Sequence, residues 1–422
     1  MRNLHLFLED PSAAEKAFYT RISAMMDAGN LEQLDQKSLF QKLAEIIEPP
    51  GRNIDIAVIV SAERGLVQLT QLLIAQCADI KMAACAAALH NHGDLAKALA
   101  KEVAVSITDI VLFAACGGHQ SLVMEIISQG ADKNRALYAA ARFARESLVD
   151  YLIQQGAEKV WAIYGAAFAN QEALLKRFMI TPEDRNAAIE FAARGYEEAL
   201  VASLLQQGAD KSRAVVGAVR AGHEDFVMQL VQADPGNKNV AVRKAAYLGR
   251  ETLVIRLIQD GADKTEAIEC AVAGNQETLL NKLIITEPEK NLAVKCAALL
   301  GQEALVTRLI AQGASKDYAV RGAARGGYIG LTMQLISQGA SKDHAVRHAA
   351  YAGNEKLVEQ LIQWGADKNL ALIAAENAGC HELANKLRAT FTPNMLSSLL
   401  WGRAGSAAAE AVSTLEQQRN KP

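Results

Sequence analysis

A tetrapeptide, Gly-Ala followed by Asp, Glu or Ser and then Lys, begins at Gly130, Gly156, Gly208, Gly261, Gly313, Gly339 and Gly365, at intervals of 26, 52, 53, 52, 26 and 26 residues. Degenerate copies at Pro182, Pro235 and Glu287 fill the double intervals. A period of this size restricts the chain to architectures in which one small unit stacks on its neighbours, because such a unit cannot bury a core alone. Numbered from the first Gly, the unit reads G-A-D-K-N-x-A-h-x-x-A-A-x-x-G-x-E-x-L-h-x-x-L-h-x-Q, with h aliphatic. The same frame extends back to Ala104, Cys77 and Gly51, with one extra residue before Ala104 and another before Pro235, so thirteen units span 51–390.

Each unit carries the pattern of two helices. Position 5 holds Asn134, Asn186, Ser212, Asn239, Thr265, Asn291, Asp317, Asp343 and Asn369, interrupted by Val160. These are N-cap residues, which predicts that a first helix, A, starts at position 6. Gly recurs at position 15 and suits the left-handed residue that ends a short helix. Glu at position 17 complements the dipole of a second helix, B, which runs to the next Gly. Small residues at 7, 11 and 12 and aliphatics at 8, 19, 20, 23 and 24 share one face per helix. Helices this short are unstable alone, so neighbouring units must stack. The expected fold is all-α: an α-solenoid of about thirteen stacked helix-turn-helix repeats, curved and of the order of 100 Å long at roughly 8–10 Å per step.

The stretch A-A-x-x-G-(H/N)-x-x-L-V-x-x-L-(I/L)-x-x-G-A-D, best formed at Ala349–Asp367 and weaker at Ala218–Asp234, resembles the second half of an ankyrin repeat. The resemblance covers about four-fifths of the chain. It departs from the family in its 26-residue unit, against the usual 33, and in lacking the T-P-L-H opening. The missing seven residues are those of the family's β-hairpin finger, so tight loops and little β structure are expected. An α-solenoid of another lineage is the fold alternative. Ankyrin arrays bind protein partners and seldom catalyse, which implies a scaffold. Finger-poor arrays of this kind are also similar to those of effectors that intracellular bacteria deliver into host cells.

Residues 1–50 and 391–422 break the period. Ser12–Glu15 and Ser38–Gln41 read as capping boxes of an N-terminal helical cap closed by Pro49-Pro50, with Phe7, Phe18, Met25 and Met26 as packing residues. Thr392-Pro393 opens a C-terminal capping helix in which Met395, Leu396, Leu399, Leu400 and Trp401 cover the last repeat, followed by a loose tail. Six cysteines without a C-x-x-C pair, a short apolar N-terminus broken by Glu9 and Asp10, and no apolar run of 18 residues point to a reducing, cytoplasmic compartment and no membrane span. A net charge of −3 gives no general attraction to polyanions.

Two rows are candidate binding sites. Position 4 is a ladder of cations from Lys133 to Lys368, but carboxylates at position 3 neutralise it, so its expected role is to meet the C-terminal carbonyls of helix B and to form ion pairs between units. Nucleic-acid or phosphate binding is the alternative function. The second row is the face of helix A at positions 6, 9 and 13. It carries Arg135, Tyr138, Arg142, Trp161, Tyr164, Phe168, Arg194, Arg213, Arg220, Arg243, Tyr247, Tyr318, Arg321, Arg325, His344, Arg347 and Tyr351, seventeen of thirty positions in a chain only 5% aromatic. Arg, Tyr and Trp dominate binding hot spots. Packing can account for Trp161 and Phe168 but not for the arginines. The row is expected to line a concave side and to hold a protein partner through an acidic or helical segment. No cofactor, metal or catalytic set is expected. Cys85, His90 and His92 lack a usual zinc spacing, Cys380 and His381 cannot face each other, and Gly322, Gly326 and Gly327 mark a helix turn. An enzyme with a site hidden from sequence spacing is the third reading.

Overall fold

The computed structural model describes residues 11–28, 53–76, 78–102 and 106–389. Among these residues there are twenty-seven α-helices, one short 3-10 helix at Pro235–Asn237 and no strand. The protein is an α-solenoid of paired helices. Phe7, the Ser38–Gln41 box, Pro49-Pro50 and the whole C-terminal cap from Thr392 lie outside the described residues.

The chain divides into two compact units, Met1–Asp234 and Pro235–Pro422. Among the described residues the first holds the helix Ala13–Ala28 and then seven helix pairs, from Asn53–Glu63 with Val67–Ala75 to Lys211–Ala221 with Glu224–Ala233. The second holds six pairs, from Lys238–Tyr247 with Glu251–Gln259 to Lys368–Asn377 with His381–Ala389. The thirteen pairs fall in the register of the thirteen sequence units.

The N-terminal helix caps the first pair. The Ser12 amide donates to Glu15 and the Glu15 amide to the Ser12 hydroxyl, the reciprocal box that the sequence predicts. Phe18, Ile22 and Met26 are buried on its inner side, while Met25 stays partly exposed. Across the interface the Tyr19 hydroxyl donates to the nearly buried Glu63 at 2.8 Å, and Arg64 pairs with Asp27.

Within a pair the core follows the repeat. Ala136, Leu137, Ala140 and Ala141 of helix A are fully buried, as are Val149 and Leu152 of the B helix that follows. Alanines at 7, 11 and 12 let each A helix pack directly on the next. Consecutive A helices pack closely at backbone level, whereas consecutive B helices barely meet. The closest A helix pairs share a glycine at position 10. A Cβ on Gly165, Gly217 or Gly322 would strike the backbone carbonyl of Tyr138, Glu190 or Lys295 in the preceding repeat.

The expected start of helix A is corrected. In most repeats it begins at position 4 with position 3 as its N-cap: Asp132, Asp210, Asp263 and Asp367 each accept the amide two residues on at 2.7–2.8 Å, whereas Pro182–Arg194 and Glu287–Leu299 begin at position 1. Position 5 then lies inside the first turn and cannot cap its own helix. It reaches forward instead. Asn134, Asn186, Asn239, Asn291, Asp317 and Asp343 each accept the backbone N–H of position 3 in the next repeat at 2.7–3.1 Å. Val160 interrupts that row where nothing is needed from it. The following helix, Pro182–Arg194, carries its own capping box, in which Asp184 accepts the amides of Ile180 and Thr181.

Position 15 is left-handed in all thirteen pairs. Eight are glycine, and the other five are Asn91, Ala144, Asn170, Tyr196 and Asn275, with φ between 50° and 69°. The turn geometry therefore belongs to the repeat, and glycine is only its least strained occupant.

Candidate functional site

The A helix row separates into two clusters, one in each compact unit. In Met1–Asp234 the aromatic rings gather on helices Lys133–Arg142, Lys159–Phe168 and Pro182–Arg194. Tyr164 stacks on Phe191 with ring centroids 4.2 Å apart and meets Trp161 edge-on at 5.6 Å. Tyr138 lies 6.2 Å from the same Phe191 ring. Arg142 covers Phe168 and Arg194 covers Phe191 at 4.3 and 4.7 Å. All these rings are half-buried, and burial raises the Tyr138 hydroxyl above its ordinary range. Phe191, at position 10, joins the cluster without belonging to the row that the sequence singled out; its spacing from Arg194 on one helix face is the signal that could have found it.

Three other residues of this row stand apart from the rings. Arg135 and Arg213 are exposed, and Arg220 is tied to Glu190.

In Pro235–Pro422 the cluster is cationic. Arg321 lies over the Tyr318 ring at 4.6 Å, and Arg325 over Tyr351 at 5.5 Å. Arg321 Nη2 is 3.0 Å from His344 Nε2. Because a guanidinium only donates, His344 Nε2 accepts and its proton sits on Nδ1. Arg347 is exposed one turn from His344, and Tyr318 and Tyr351 are 38% and 48% exposed. His348, on the same helix at position 10, was missed by the sequence row. Burial, and then the positive charges of Arg321 and Arg325, press its pKa down to about 4; His344 is lowered by burial and Arg321. Arg243 and Tyr247 lie on the first A helix of this unit, where Arg243 approaches Glu266 at 3.5 Å and Tyr247 packs under Lys244.

The lysine ladder has a different job. Lys133, Lys238, Lys290, Lys316 and Lys342 donate to the carbonyls of Gln155, Asp260, Gln312, Gln338 and Trp364 at the C-terminal end of their own B helix, at 2.5–3.1 Å. Lys159, Lys211 and Lys264 pair with Asp184, Asp234 and Glu289. These ammonium groups are committed to helix ends.

A further row escaped the sequence reading because its residue types differ. Position 16, just after the left-handed turn, caps the end of the preceding A helix: His92, His119, Arg145, Gln171, His223, Gln276, Gln302 and Asn354 each meet a carbonyl of the previous repeat at 2.7–3.2 Å. Only a shared geometry connects imidazole, guanidinium and amide, and a residue-type pattern does not show it. His92 is thus occupied with Glu63, and Cys85 is buried with its thiol raised to about 12 by burial.

No protein-family model matches the chain, and no curated protein does. Among solved structures it aligns with the crystal structure of the pentatricopeptide repeat protein PPR10 from maize, at 10% identity over 88% of this chain and 72% of that one, with a TM-score of 0.24. That superposition is too loose to carry an argument about function, and the α-solenoid assignment rests on the helix pairing itself. No helix among the described residues is long and apolar enough to cross a membrane.

Proposed function

We propose that this protein is a non-enzymatic repeat scaffold that holds a partner protein along the A helix face. The observation that carries the reading is the group Tyr318, Arg321, Arg325, His344, Arg347 and Tyr351. Its tyrosines stay over a third exposed although they stand at helical spacing in a packed array. Arginines stacked on rings, Arg325 exposed and Arg321 half-buried, are pre-organised for contact and lose little entropy on binding. Replacing Tyr318, Arg321 and Arg325 together by Ala in the full chain abolishes capture of the partner while helicity and melting temperature are retained. Capture by such a folded variant sinks the reading.

On this reading the 26-residue unit is a finger-less, ankyrin-like repeat. The protein then works in a cytoplasm, that of the producing cell or that of a host cell receiving it as a bacterial effector. Binding along a nucleic-acid backbone is disfavoured because the lysines that would track phosphates are occupied by helix ends and carboxylates.

A further inference from the structure

The cations of the second cluster stand on three successive A helices around two histidines: Lys295, Arg321 and Arg325 act on His348, and Arg321 and Arg347 on His344. Lys295 comes from Glu287–Leu299, Arg321 and Arg325 from Lys316–Gly326, and Arg347 from Lys342–Tyr351. Gly322 lets the first two helices approach until a Cβ would meet the Lys295 carbonyl. None of these four cations is paired with a carboxylate among the described residues, and Arg321 Nε is buried without an acceptor. Of the acids near the cluster, Asp317 and Asp343 spend an oxygen each on the backbone amides of Ser341 and Asp367, and Glu269, on the A helix before Lys295, forms no ion pair with it.

The positive charge stops abruptly. In the next repeat the same three positions are Leu370, Ile373 and Asn377, and in the repeat before Arg321 the flanking ones are Leu292 and Leu299. An extended polyanion would need the charge to continue along the array. A compact group of high charge does not.

We infer that Lys295, Arg321, Arg325 and Arg347, with His344 and His348 beside them, form a site for a phosphoryl monoester carried on a segment of the partner whose flanking residues are apolar. This rests on the scaffold reading. A phosphoryl group brings nearly two negative charges and three acceptor oxygens, enough to engage several guanidinium edges at once, whereas a single carboxylate satisfies one. The two tyrosine rings hold Arg321 and Arg325 in place before the ligand arrives.

The test uses the full chain labelled at histidine Cε1, titrated with inorganic phosphate at constant ionic strength, with acetate and chloride as comparisons. The expected result is a saturable shift of the His344 and His348 resonances with phosphate alone, weakened about tenfold or more in Arg325→Gln and in the exposed Arg347→Gln. No shift beyond that of chloride overturns the site. Equal response to acetate overturns the phosphoryl class. A parallel arm compares partner capture before and after phosphatase treatment of the extract. Capture that survives the phosphatase but is lost in the triple Ala variant overturns this inference and leaves the scaffold standing, whereas capture unaffected by the triple variant removes the scaffold reading on which it rests.

Discussion

Asn291 Oδ1 accepts the backbone N–H of Ser315 at 2.7 Å, although the two are 24 residues apart in sequence. Ser315 is itself the N-cap of the next A helix, its hydroxyl accepting the Asp317 amide. One side chain thus positions the first residue of the following repeat, and the same bond recurs along both units. Stacking is therefore directional hydrogen bonding as well as apolar burial.

Asn291 is only 8% exposed, and Asn291→Ala, which leaves the Ser315 amide without its acceptor, should cost about 1–2 kcal/mol. Asn369 occupies the same repeat position, but its Oδ1 has no partner among the described residues. Asn369→Ala should be close to neutral. Urea denaturation of the two variants checks the difference; equal losses would show that the bond is incidental.

Gly322→Ala and Gly330→Ala separate close approach from chain flexibility. A Cβ at Gly322 collides with the Lys295 carbonyl, and backbone cannot swing aside as a side chain can. A loss of about 2 kcal/mol or more is expected. Nothing lies within 4 Å of a Cβ at Gly330, so alanine there should stabilise by about 0.5–1 kcal/mol. Thermal or urea melts read both signs.

Ala144 sits at position 15 with φ 53°, in the left-handed region that costs a side-chain-bearing residue about 1–2 kcal/mol. Ala144→Gly should raise stability slightly, offset in part by the freer unfolded chain. Tyr196 is strained in the same way but packs on His223 and Phe226, so Tyr196→Gly should gain nothing.

The pH dependence follows from His348. Burial and the neighbouring arginines lower its folded-state pKa to about 4, so between that value and the ordinary 6.5 the unfolded chain takes up the proton first. Its contribution is present at pH 7 and is lost as pH falls from 6.5 toward 4. In His348→Gln the urea midpoint should fall less over that window than in the parent chain. An unchanged acid slope would contradict the placement of His348 against those cations.

The helical pairing was legible because a buried alanine or leucine leaves a periodic mark: Ala136, Leu137, Ala140 and Leu152 stand where the period puts them. Position 5 was misread because Asn at a helix start has two uses, capping its own helix or reaching the next. Only the register of the neighbour decides between them. The position 16 row left no signature, since His223, Gln276 and Asn354 do one task with different chemistry. The A face was visible as an enrichment of Arg and aromatic residues, yet its division was not. Tyr164 and Phe191 turn onto each other in the first unit, while Tyr318 and Tyr351 support arginines in the second. That depends on what stands at position 10, Phe191 in one unit and His348 in the other.

On the scaffold proposal a partner lies along the A side of the second unit. A photoreactive residue placed at Ile373, on the A helix face beside the cationic cluster, and another at Glu359, exposed on the preceding B helix, report on it directly. Irradiation in cytosolic extract should trap the partner from position 373 and leave position 359 without adduct. Trapping from 359 with none from 373 would place the partner on the opposite side and contradict the account.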